Sequence, residues 1–231
     1  MEKDVFGEAL VDYYQGKRGK TLWLHNNYGE KEEMPIGIFF RTPQDFPELE
    51  FIALSLCDGT VLDVGAGAGS HCLYLQERGF NVTALELSQK ACTLMKARGV
   101  QQIVRADIFA FKGKQFDTLL FLMNGIGIAQ TLAGLKQLLE HCKLLLKKGG
   151  QLLFDSSDIR YLYEEGLNMP DYYFGEIHFQ YEYDGNKGAP FSWLYIDQET
   201  LISLGHQLGW IVQILYEEDD DQYLVRMSLP H

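Results

Sequence analysis

Two periods alternate through the middle of this chain. Short apolar runs at 61–64, 81–86, 103–105, 116–122 and 151–155 read as buried strands. Between them, apolar residues recur at helical spacing over 70–78, 88–98 and 130–147. Ser88 stands where a helix N-cap is needed, and Lys147-Lys148-Gly149-Gly150 reads as a helix stop with cations at the negative dipole end. Strand and helix in alternation predict an α/β fold, with a parallel sheet covered by helices on both faces.

The flanks differ. Residues 1–58 form a separable N-terminal segment with a helix over 5–14 and a polar, glycine-containing stretch to Glu33. Residues 36–41 then lead into a second helix over 43–56, with Pro43 in its first turn. Beyond Asp155, residues 172–183 alternate aromatic and polar side chains, Asp184-Gly185-Asn186 signals a turn, and 191–196 reads as a returning strand. A helix over 197–207, a strand over 210–216 and a strand over 223–229 follow. The last two are joined by the acidic run 217–221, read as a solvated turn.

Composition narrows the class. The 231 residues suit one domain with an insertion, and 46% hydrophobic content can fill a core. The net charge of −12 and scattered lysines disfavour nucleic acid and anionic membranes as partners. No apolar run has the roughly 20 residues of a membrane span, and the first residues lack a signal-peptide pattern. Cys57, Cys72, Cys92 and Cys142 show no CxxC pairing, so no metal site is expected and the location is expected to be cytoplasmic.

The chemistry concentrates at Asp63-Val-Gly65-Ala66-Gly67-Ala-Gly69-Ser70. Strand, glycine loop and helix in that order is how a parallel sheet cradles a nucleotide-like ligand. The spacing departs from the G-x-G-x-x-G fingerprint, because Ser70 takes the third glycine's place. No Gly-Lys-Ser/Thr follows, which removes a P-loop. Glu86 ends the second strand about 20 residues beyond Gly65, where a carboxylate either accepts two ribose hydroxyls or caps a helix. Asp107 ends the third strand, where it either accepts from an adenine amino group, with Ile108 covering the ring, or serves as an N-cap.

Together these residues resemble the class I S-adenosylmethionine-dependent methyltransferases from about residue 58 onward. The resemblance implies a Rossmann-like, doubly wound sheet of seven strands, mostly parallel with an antiparallel C-terminal strand. It divides the chain into an N-terminal helical cap (1–58) and a methyltransferase domain (59–231) carrying a β-hairpin insertion (172–196) as a substrate lid. It implies S-adenosyl-L-methionine as cofactor. Gly65, Ala66 and Gly67 would lie against its methionine and ribose, with Asp63 receiving the amino group. Glu86 would hold the ribose hydroxyls, Asp107 and Ile108 the adenine, and Asn124 would face the reacting methyl; Leu87 is a further cofactor contact. Arg41 is the candidate partner for the methionine carboxylate.

The expected activity is methyl transfer to a small molecule by in-line displacement. The alternatives are an NAD(P)-dependent oxidoreductase and a catalytically silent cofactor-binding protein. No catalytic residue is assigned; His71, His141 and His178 are candidate bases in principle. Asp155 is a candidate substrate contact. Among Tyr172, Tyr173, Tyr181, Tyr183, Trp193 and Tyr195, Tyr181 and Trp193 lead as pocket residues. A monomer or homodimer is expected.

Overall fold

The computed structural model describes residues 3–164, 166–218 and 221–230. Its N-terminal part holds α1 (Val5–Tyr14), β1 (Leu22–Asn26), β2 (Glu32–Glu33) and α2 (Glu48–Ser55). Then come β3 (Thr60–Val64), α3 (Ser70–Glu77), β4 (Asn81–Glu86), α4 (Gln89–Arg98), β5 (Ile103–Arg105) and β6 (Phe116–Phe121). The chain continues through α5 (Leu132–Leu145), β7 (Leu146–Ser157), α6 (Tyr161–Glu164), β8 (Glu176–Tyr183) and β9 (Asn186–Leu194). It closes with α7 (Gln198–Gln207), β10 (Ile211–Glu217) and β11 (Gln222–Ser228).

Seven strands form the main sheet in the order β10-β11-β7-β6-β3-β4-β5. Strands β3 to β7 run parallel, and β11 is antiparallel to both neighbours. The period of two along each strand sorts its side chains between two layers. Leu62, Leu119, Phe121, Phe154 and Val225 pack on one side with Leu138 and Leu139 of α5 and Leu201 of α7. Val61, Leu120, Leu153 and Leu224 pack on the other with Leu54, Leu75 and Met95 of α2, α3 and α4. Both faces are covered, so the central strands read as continuous apolar runs. The expected Rossmann-like sheet is the one observed.

A second sheet stands beside the first, in the order β2-β1-β8-β9, antiparallel throughout. The expectation of a helical segment followed by a polar stretch to Glu33 is corrected here. Leu22 and Leu24 are buried at alternate positions, and β1 pairs with β8, for example His25 with Gln180. The insertion is thus not an isolated hairpin, since β8 sits between β9 and the N-terminal strand. Five residues alternate too briefly to announce a strand alone.

The helix expected over 43–56 is also shorter. Pro43–Asp45 makes a single 3-10 turn closed by reciprocal bonds between Thr42 and Asp45, and the α-helix begins after Pro47. Likewise α5 ends at Leu145, and Lys147 to Gly150 belong to β7. Of the acidic run, Glu217 ends β10, and Asp219 and Asp220 lie outside the described residues.

Candidate functional site

The chain leaves β3 at Val64 and turns back at once. The N–H groups of Gly65 and Ala66 both donate to the Leu85 carbonyl, at 2.9 and 3.2 Å. That folds the loop over the end of β4. Gly65 has a φ of +74° and a Cβ there would meet no atom within 4 Å, so its bare backbone faces open space. The N–H of Gly67 donates to Glu86 Oε2 at 2.9 Å, and the N–H of Ser88 to Oε1 at 2.8 Å. Burial raises the Glu86 carboxyl above its ordinary range, against the pull of those two bonds.

A cavity of about 500 Å³ opens against this loop. Its floor is the main chain from Asp63 to Ala68, with Glu86 and Leu87 at one end and Met123, Asn124 and Gly125 at the other. Its roof is the second sheet, through Leu24, Phe179, Tyr181, Phe191 and Trp193, with Tyr195 just past the end of β9. The flank comes from the N-terminal segment, through Phe6, Met34, Ile38, Phe39 and Phe46. Of the leading cofactor and substrate candidates read from the sequence, Asp63, Gly65, Ala66, Gly67, Glu86, Leu87, Asn124, Tyr181 and Trp193 meet there.

Four stand elsewhere. Arg41 is turned onto Glu50, to which its guanidinium donates, and its Nε is buried without a partner. Asp107 is exposed and accepts the Phe109 N–H at 2.9 Å, while Ile108 is packed into the core of the α5 face. Asp155 is fully buried behind Asn124. Of the other tyrosines considered, Tyr195 reaches the cavity. Tyr173 donates to Asp197 at 2.6 Å, Tyr183 packs under α1, and Tyr172 is exposed. His141 bonds the Phe111 carbonyl and His178 bonds Ser192, so neither histidine faces the cavity.

His71 does face it, and it belongs to a buried polar cluster whose central carboxylate, Glu50, gave no local signal in the sequence. Its Nε2 donates to Glu50 Oε2 at 2.9 Å, the carboxylate that also holds Arg41. Burial works against the charged imidazole, but Glu50 and the Asp63 charge outweigh it and hold its pKa above the ordinary value. Asp63 accepts from the Cys72 thiol at 3.1 Å, and burial raises its carboxyl despite His71 and Cys72.

Asn124 joins the two sheets. Its backbone is left-handed, with a φ of +53°. Its N–H donates to Asp155 Oδ2 at 2.8 Å, its Nδ2 to the Leu194 carbonyl at 3.2 Å, and its own carbonyl accepts the Trp193 indole N–H at 3.0 Å. Gln222 donates to the same Asp155 oxygen at 2.8 Å. Burial pushes the Asp155 carboxyl up to about 6, against those two donors. Met123 and Gln130, which bracket the same loop, also have positive φ, a concentration of strain that marks many sites.

Among the described residues no group of three or more His, Cys, Asp or Glu could hold a metal ion, and no helix is long and apolar enough to cross a membrane.

Comparison with known proteins gives these features a context. The profile of a family described as "Methyltransferase domain" matches residues 62–154. An S-adenosylmethionine-dependent methyltransferase from Bacteroides fragilis, solved with S-adenosyl-L-homocysteine, is 38% identical. The match covers 98% of this chain and 95% of that one, with a TM-score of 0.91. The CcbJ methyltransferase from Streptomyces caelestis shares the fold at 12% identity, over 98% of both chains, with a TM-score of 0.68. The glycopeptide N-methyltransferase MtfA, solved with S-adenosyl-L-methionine, shares it at 18% identity over 79% of this chain and 93% of that one, with a TM-score of 0.57. No curated protein sequence matches the chain. At 38% identity along nearly its whole length, the chain belongs to the S-adenosylmethionine-dependent methyltransferases.

Proposed function

We propose that this protein binds S-adenosyl-L-methionine against the glycine loop and transfers its methyl group to a small molecule held under the aromatic sheet. One observation carries this: one cavity has bare main chain and a buried carboxylate on its floor and aromatic rings on its roof. The donor set fits the cofactor. Glu86 offers two carboxylate oxygens, now met by backbone N–H groups, to a pair of vicinal hydroxyls. The open space above Gly65 admits close approach. Leu87, 64% exposed, flanks the open end, where Asp107 would meet the adenine; Ile108, packed in the core, would not reach it. Asp63 would receive the amino group.

The carboxylate end falls to His71 in this reading, because His71 faces the cavity and Arg41 acts there only through Glu50. When bound, the cofactor supplies a methyl group activated by sulfonium charge. The chain's part is alignment and exclusion of water: Asn124 and Gly125 form the wall beside the reacting centre, and the roof and N-terminal flank close over it. Residues 1–58 and 172–196 thus work as one cap over the domain from 59 onward. The four unpaired, buried cysteines support a reducing, cytoplasmic setting.

Titration calorimetry with S-adenosyl-L-homocysteine, followed by mass spectrometry of acceptors incubated with the methylated cofactor, tests the reading. Saturable binding with an acceptor gaining one methyl is expected. No binding at millimolar cofactor to folded protein, or preferential binding of a nicotinamide dinucleotide, overturns it. Binding without transfer to any acceptor overturns the catalytic half.

A further inference from the structure

The identity of the acceptor follows from what the roof lacks. The charged side chains lining the cavity are Asp63, Glu86 and the ion-paired His71, with no lysine or arginine among the described lining residues. An anionic acceptor would enter a cavity bearing carboxylates with no cation free to meet it. The roof is instead a set of rings. Tyr181 and Phe191 lie 5.1 Å apart, Trp193 stands edge-on to Phe191 at 6.1 Å, and Phe6 stacks beneath Tyr181 at 5.4 Å.

A hydroxyl acceptor meets a different obstacle. It must lose its proton as it attacks, so it needs a base within reach. Tyr181 and Tyr195 face the cavity, but burial raises both phenols, Tyr195 to about 12, so both keep their protons at neutral pH. His71 is held on the floor, away from the roof rings, by its 2.9 Å bond to Glu50. Asp155 is sealed behind Asn124 and does not line the cavity. The roof half therefore offers no proton acceptor. A neutral amine needs none, since it attacks through a lone pair and becomes positive as it does so. The aromatic faces of the roof favour that developing charge.

Resting on the methyl-transfer reading above, we propose that the acceptor is an uncharged amine nitrogen on an apolar, ring-sized body seated against Tyr181, Phe191 and Trp193. The nitrogen lone pair becomes the new N–C bond while the C–S bonding pair stays on the sulfur of the sulfonium cofactor. The resulting ammonium then releases one proton to water.

The test uses the whole protein loaded with S-adenosyl-L-homocysteine, whose binding is first measured alone. Benzyltrimethylammonium, benzyl alcohol and benzoate are then titrated in. The cation is expected to bind at least about ten-fold tighter than the alcohol, the scale of one or two ring contacts, and benzoate not to bind. Trp193→Leu and, separately, Tyr181→Leu are expected to cut that preference below about three-fold while S-adenosyl-L-homocysteine still binds. In turnover, benzylamine and N-methylbenzylamine are expected to be methylated ahead of benzyl alcohol and phenol. Equal or tighter binding of the alcohol or benzoate overturns the proposal, as does no probe binding to the loaded protein, or methylation of a hydroxyl ahead of the matched amine. Failure of S-adenosyl-L-homocysteine to bind is a separate result that removes the methyl-transfer reading itself.

Discussion

Trp193 donates its indole N–H to the main-chain carbonyl of Asn124 across 3.0 Å, which ties the roof strand β9 to the loop after β6. Gly127 makes room for this bond. A Cβ at that position would overlap Nε1, Cδ1 and Cε2 of the indole. Gly127→Ala is therefore expected to push Trp193 out of place at a cost of about 1–3 kcal/mol, the range of overpacking. Acceptor turnover should fall more than S-adenosyl-L-homocysteine affinity, because the floor of the cavity is untouched. Thermal unfolding and calorimetry check this; unchanged melting and unchanged turnover would contradict it.

Glu86 supports the loop and, in the proposed function, the cofactor sugar. Glu86→Ala removes the acceptor of the Gly67 N–H together with both ribose contacts. Cofactor affinity is expected to drop by roughly 1–3 kcal/mol, the scale of losing hydrogen bonds to a charged group. Calorimetry on the folded variant reads the change directly. Wild-type affinity would remove Glu86 from the ribose.

Asp155 makes stability depend on pH. Its folded pKa of about 6 lies above the ordinary 3.8, so the folded protein holds this proton more tightly than the unfolded chain. The group's contribution is therefore most favourable below about pH 4, weakens as pH rises to about 6, and is level above that. Asp155→Asn has no such charge. From pH 4 to 6, wild type should lose roughly 1–3 kcal/mol relative to the variant. Urea unfolding at several pH values reads the difference, and a flat or opposite trend would refute it.

Asp4 latches the N-terminal helix. It accepts the Gly7 N–H at 2.9 Å as cap of α1, and also the Ser88 hydroxyl at 2.7 Å and the Lys90 N–H at 3.2 Å at the start of α4. Asp4→Ala is expected to cost about 1–2 kcal/mol, as for other lost caps. Amide exchange should quicken in α1 before it does in β3 or β6. Uniform exchange throughout the chain would show that α1 is not held by this contact.

The floor of the site was legible because it is local. Asp63, the glycines and Ser70 belong to one strand, turn and helix start, and Glu86 sits at the next strand end. The family sets aside the nicotinamide-dependent alternative that the same loop allowed. What escaped depends on packing between distant segments. Arg41 could be placed near the floor from its position before α2, but the direction of its guanidinium is set by Glu50, which is itself shared with His71 on α3. On β8, Phe179, Tyr181 and Tyr183 share a face by period two, so the facing was readable. Where the cavity stops was not: Tyr183 is covered by Val5 and Ala9 of α1, while Tyr181 remains open to the cavity.

The pairing of β1 with β8 also governs assembly. His25 and Glu182 bridge at 2.6 Å although 157 residues separate them. Such a closure carries the entropy of a very long loop, which slows its formation. A nascent chain that has just completed β7 already owns the glycine turn and Glu86, yet its ceiling is missing. A closed site thus waits on the meeting of two strands far apart in the chain, β1 and β8.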